Sequence, residues 1–191
     1  GNGQHFEQAY NAQAAVDIES MLIVGEYVTN HGNDKKELEP IVQSIDGETY
    51  RAEKGCADSG YYSEEAVQAV ERENEKGERQ GPEVYCAVGK QSHHRSVADL
   101  EKREAEAVPT GATAKEKMAA KVRGKEGTAV YKKRKETVEP VFGIIKGAMG
   151  FRQFLLRGLE KVGIEWDLVA LAYDMKKLFS LGGGRGLSFL G

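Results

Sequence analysis

Two short strand-like stretches, residues 10–17 (YNAQAAVD) and 21–29 (MLIVGEYVT), are joined only by Ile18-Glu19-Ser20, a spacing that suits an antiparallel hairpin. A helix is predicted from Asp34, with Glu37 at the capping-box distance and Leu38, Ile41, Val42 and Ile45 turned toward the sheet, although Pro40 distorts its first turn. Residues 52–58 (AEKGCAD) read as a central strand ending at Asp58. Ser63 then caps a helix to about Asn74, with Glu64 and Glu65 at its positive end. Gly81-Pro82 breaks the chain before a strand over residues 83–88. An antiparallel pair followed by strand–helix–strand alternation predicts an α/β fold, a mixed sheet flanked by helices.

The second half is helical. Residues 89–127 carry little core-forming signal and read as a charged insertion, either a helical excursion or a mobile surface segment; apolar periodicity returns over 129–149 through Val130, Val138, Val141, Phe142 and Ile145. A last helix over about 164–179 is expected to bury Trp166, Leu168, Val169, Ala172, Met175 and Phe179. Residues 1–181 are thus expected to form one domain, with 182–191, which include Gly182-Gly183-Gly184, as a flexible tail.

At 40% hydrophobic and 30% charged residues, the chain can build a packed core, and no apolar run is long enough to span a bilayer. Neither a membrane nor a secretion signal is indicated, and Cys56 and Cys86 are not in a CxxC pair, so a reduced, cytoplasmic protein is expected. Charge is segregated. Residues 1–114 hold 11 Lys/Arg against 22 Asp/Glu, whereas 115–157 hold 12 against 4, a basic block that is a candidate polyanion footprint.

Two segments combine into a chemical constellation. In ADSGYY, an Asp at the carboxyl end of a central strand projects into the crevice where open α/β sheets bind ligands, although a turn Asp preparing the next helix would look the same. In YKKRKETVEPVFGIIK, Glu139 sits among cations and beside an apolar stripe. On a continuous helix Glu139 and Lys146 share a face, about 20° apart, with Tyr131 and Arg134 upstream within reach of a phosphate; if Pro140 starts the helix, Glu139 stands at its entrance.

Together, ADSGYYSEE and YKKRKETVEPVFGIIK resemble the DDE transposases of bacterial insertion sequences, whose catalytic domain is RNase H-like. YNAQAAVD, LIVGEYVTN and GNDKKELEP look like that family's second and third strands and first helix, and DLVALAYDMKKLF looks like its closing helix. The resemblance implies three carboxylates holding divalent metal, Mg²⁺ with Mn²⁺ as a substitute, for phosphodiester displacement. Asp58 and Glu139 would be the second and third catalytic, metal-holding acids; Arg134 and Lys146 would position phosphates, Tyr131 would meet a nucleotide, and Lys132 and Lys133 would add to the DNA-binding surface. The implied partner is double-stranded DNA, both element ends and target, bound by a homodimer.

The first carboxylate of that family lies on a first strand which this sequence is expected to lack, since Glu7 and Asp17 fall in later elements and Asp17 serves its turn. A chain without it is expected to be poorly active or inactive. A non-catalytic DNA-binding remnant and a repair nuclease on the same fold are the competing readings. His93-His94 reads as an exposed loop pair, Cys56 as a small core residue and Trp166 as core.

Overall fold

The computed structural model describes residues 10–89 and 111–182. The expected hairpin forms: β1 (Asn11–Val16) pairs antiparallel with β2 (Ile23–Thr29), Ala14 opposite Glu26, with a register slip between Ala15 and Val16. Asp17 closes its turn, Oδ2 accepting the Ser20 amide at 2.8 Å and hydroxyl at 2.6 Å. Burial pushes the Asp17 carboxyl up, but these bonds and one from Tyr50 outweigh it and hold the group below its ordinary range.

The first helix differs from expectation. It is α1 (Leu38–Gln43), with Glu37 as N-cap and no side-chain capping bond. The carboxylates that would cap it are taken by the hairpin: Asp34 Oδ1 accepts from Asn11 Nδ2 (2.6 Å) and Gln13 Nε2 (3.0 Å), while buried Glu37 accepts from the Tyr27 hydroxyl and lies 2.6 Å from His31 Nδ1. Pro40 therefore falls in the first turn, where no intrahelical N–H donor is needed.

β3 (Lys54–Ala57) and β4 (Glu83–Cys86) run parallel, connected through α2 (Glu64–Val70). Ser63 Oγ caps α2 by accepting the Ala66 amide at 3.1 Å. The helix stops at Val70, short of Asn74, whose side chain instead nucleates a turn by accepting the Lys76 and Glu78 amides.

The α/β class stands, but among the described residues the single mixed sheet does not form. β1–β2 and β3–β4 are separate two-stranded sheets. Between them lies a slot of about 210 Å³ whose walls include Ala14, Val16, Leu38, Cys56, Ala57 and Val84.

Part of the expected insertion is structural. α3 (Ala114–Arg123) starts with a Thr113–Glu116 capping box and buries Met118 and Val122; the Met118 sulfur accepts the Cys86 amide at 3.5 Å. Two apolar residues four apart suffice because β4 supplies the rest of that core. His93-His94 and residues 183–191 lie outside the described residues.

α4 (Lys125–Gly143) runs straight through Pro140, so Glu139 is mid-helix rather than at an entrance. The carbonyl of Glu136 that Pro140 cannot serve sits on the solvent side, where both residues are exposed. A π-helical turn, Ile144–Ala148, follows; Lys146 lies inside it, so the α-helical offset from Glu139 is not kept.

The final helix, α5 (Leu159–Leu181), begins five residues before the expected start, after Gly158 turns the chain at φ 91. It buries Val162, Trp166, Ala170 and Tyr173; Leu168, Met175 and Phe179, expected inside, are 61%, 60% and 53% exposed. Two apolar cores result. One joins Leu38, Val67, Val84, Tyr85, Met118 and Val122, the other Ile23, Val28, Val141, Ile145, Val162 and Trp166. No described helix is long and apolar enough to cross a membrane.

Where α5 meets β2, Glu26 and Asp167 oppose one another. Burial, then a shared hydrogen bond with Asp167 and its charge, pushes the Glu26 carboxyl up to about 8, and its Oε2 is buried without a hydrogen-bond partner among the described residues. An acid protonated in the fold but ionised when unfolded costs stability as pH rises from its unfolded value, near 4.5, to its folded one. Glu26→Gln is therefore expected to raise Tm at pH 8 by a few degrees and leave it nearly unchanged at pH 4; equal shifts at both would refute the assignment.

Candidate active site

Asp58 follows directly on the last residue of β3, at the carboxyl end of the parallel pair. Its Oδ1 accepts the Gly60 amide at 2.8 Å and its carbonyl accepts the Cys86 thiol at 2.9 Å, so the turn is pinned to β4. Oδ2 stays free to face Arg134, whose Nη1 is 3.8 Å away.

Arg134 reaches Asp58 from α4. Its side chain is only 17% exposed, and its Nε is buried with no hydrogen-bond partner among the described residues. The guanidinium lies over the Tyr131 ring at 5.5 Å. Burial raises the Tyr131 hydroxyl above its ordinary range, opposed by the Arg134 charge. Tyr131 thus stays a neutral donor and a flat apolar face.

A second acid, absent from the expected set, stands close by. A Cβ placed on Gly60 would come 3.0 Å from Asp58 Oδ1 and 3.6 Å from Asp34 Oδ2, so glycine keeps the space between two carboxylates open. Asp34 is held there by Gln13, which is itself bonded to the Tyr61 hydroxyl. The hairpin and β3 are thereby tied together at the site. No periodicity marks Asp34, because its placement depends on a contact 21 residues away in sequence.

The remaining expected residues are dispersed. Glu139 is exposed on α4, five residues past Arg134 and so about 140° around the helix from it. Lys132, Lys133 and Lys146 are exposed, Lys146 Nζ lying 5.7 Å from the Phe142 ring centre. Lys146 borders a separate groove of about 700 Å³ with Arg152 and Arg157 at its rim and Phe142, Phe151 and Phe154 in its wall. Arg152 and Arg157 fall in the irregular segment between the π turn and α5, where no helical period could single them out.

The donor set does not by itself fit a two-metal centre. Among the described residues no group of three His, Cys, Asp or Glu is placed to hold a metal ion, and Arg134 already faces the free oxygen of Asp58. Nucleophilic thiol chemistry is disfavoured as well. Burial pushes both Cys56 and Cys86 up to about 12, the Arg134 charge only partly offsetting it, so neither supplies thiolate at neutral pH.

Residues 85–179, about half of the chain, match the family model described as Transposase DDE domain. No curated protein and no solved structure matches the chain.

Proposed function

Because the chain belongs to the DDE transposase family, matching its model over residues 85–179, we propose that it forms an RNase H-like catalytic domain acting in DNA strand cleavage and strand transfer at insertion-sequence ends. The observation that carries this reading is the Asp58–Arg134–Tyr131 group at the carboxyl end of β3. It places a partly exposed guanidinium and an aromatic face beside a carboxylate, a set suited to a backbone phosphate and its nucleotide.

In this reading a terminal N–H of the Arg134 guanidinium donates to a phosphate oxygen beside Asp58, and Tyr131 packs on the adjoining sugar or base. The basic turn of α4 with Lys132 and Lys133, and the groove of Lys146, Arg152 and Arg157, follow the backbone on either side. The family uses divalent metal, and Asp58 and Glu139 would each contribute an oxygen ligand. With no third ligand set around them, no chemical step is assigned to these two residues alone. The slot lies between β1 and β3, each of which is hydrogen-bonded to one neighbour only among the described residues. An extended segment there would join the two sheets and bring a carboxylate to the Asp58 end.

The incomplete acid set also favours a second reading, a DNA-binding fragment without chemistry. Plasmid nicking in Mn²⁺ separates the two. The leading reading expects nicking, feeble in this chain, to disappear in Asp58→Asn and in Glu139→Gln; binding with no nicking supports the fragment. Six engaged cations imply that DNA affinity falls roughly 2000-fold between 50 and 200 mM salt. In fluorescence anisotropy, Arg152→Gln combined with Arg157→Gln is expected to flatten the log–log salt slope by about 2. An unchanged slope places the DNA elsewhere.

A further inference from the structure

α5 is apolar on two opposite faces. Val162, Trp166, Ala170 and Tyr173 point into the core, while Ile164, Leu168, Leu171, Met175 and Leu178 point away from it and are 41–61% exposed. At 100° per residue the second set lies within about 40° of a single line, opposite the first. Its spacing alternates four and three residues, the 3.5-residue period by which one helix presents a continuous seam to another. A sheet or loop partner imposes no such period.

We propose that this seam is a self-association surface, on which the α5 helices of two copies of the chain pair antiparallel about Leu171. The seam is close to symmetric about that residue: Ile164 and Leu178 each lie seven residues from it, and Leu168 and Met175 lie three before and four after. Antiparallel pairing sets Ile164 of one copy beside Leu178 of the other. With Phe179 and Leu181, themselves 53% and 56% exposed, the patch offers on the order of 700 Å² per copy, near the ~800 Å² that each partner buries in a standard interface.

The symmetry of the apolar seam sets the orientation, and charge does not select it. Glu165 and Lys176 are eleven residues apart and so on one flank, about 20° from each other, and in an antiparallel pair Glu165 approaches Lys176 of the other copy. Asp167 and Asp174, on the opposite flank, are engaged toward β2, Asp174 Oδ1 accepting the Ile23 amide at 2.9 Å and Asp167 facing Glu26. The core-facing side is unaffected, so two copies can join without disturbing the fold of either.

The test uses the 191-residue chain without DNA, which keeps it independent of the catalytic reading. Sedimentation equilibrium is expected to show a dimer at micromolar concentration. Leu168→Glu with Met175→Glu is expected to weaken it about 100-fold or more while far-UV circular dichroism and Tm stay near wild type, since both positions are exposed. Under mild oxidation Leu171→Cys is expected to cross-link with itself, and Ile164→Cys to cross-link with Leu178→Cys in a mixture rather than with itself. A monomer at 50 μM overturns the proposal, as does a dimer indifferent to the double substitution, or Leu171→Cys linking no faster than wild type.

Discussion

Replacing Trp166 with alanine is expected to remove about 3–5 kcal/mol of stability, a large share of the 5–15 kcal/mol that holds an ordinary domain together. The ring is 1% exposed, stacks on Phe142 with centroids 5.8 Å apart, and meets Phe154 edge-on at 6.5 Å. Its Nε1 also donates to the Gln13 carbonyl at 3.0 Å, so truncation leaves both a cavity and an acceptor without its donor. Trp166→Phe keeps most of the volume and gives up the bond, and about 1–2 kcal/mol is expected. Urea denaturation followed by circular dichroism measures both. A midpoint for the alanine variant within error of wild type would mean that α5 does not close on the hairpin.

An equally severe effect is expected from a single added methyl group. A Cβ on Gly127 would lie 2.0 Å from the Lys121 carbonyl oxygen and 2.7 Å from Val122 Cα, both backbone atoms that cannot rotate aside. Alanine gains up to about 1 kcal/mol of helix propensity over glycine, but here it must prise α3 from α4. We expect Gly127→Ala to cost about 3 kcal/mol or more. Because α4 carries Tyr131 and Arg134, the proposed function expects DNA affinity to fall as well. Gly143→Ala, on the same helix with open space around it, is the control and is expected to be neutral or mildly stabilising. A thermal melt in which the two variants match would contradict the close helix–helix approach.

What could be read from the sequence was whatever depends on neighbours in the chain. The hairpin, the Ser63 cap, the position of Asp58 at a strand end and the burial of Trp166 follow from short-range pattern and composition. The sequence allows a helix within 89–127, but the packing of α3 into the core escaped, because its core contribution is two residues in a charged stretch, completed by β4 from 32 positions away. The inward face of α5 was misassigned for a different reason. With apolar residues on both sides, a helical period fits either stripe, and only the aromatic cluster decides which one is covered. Asp34 was read as a helix start, yet the amides of Asn11 and Gln13 claim its carboxylate first. Within the candidate site, the sequence located Asp58, Arg134 and Tyr131 together; Glu139 belongs to the same motif, but its distance around the helix axis is a property of how Pro140 is accommodated.

α4 enters both apolar cores, with Val130 and Tyr131 against the first and Val141 and Phe142 against the second. A restraint applied at one end of such a rod is felt at the other. A nucleotide held by Arg134 and Tyr131 would therefore slow amide hydrogen exchange along the whole helix, including the turns that pack on the Trp166 aromatic cluster some 15 Å farther along its axis.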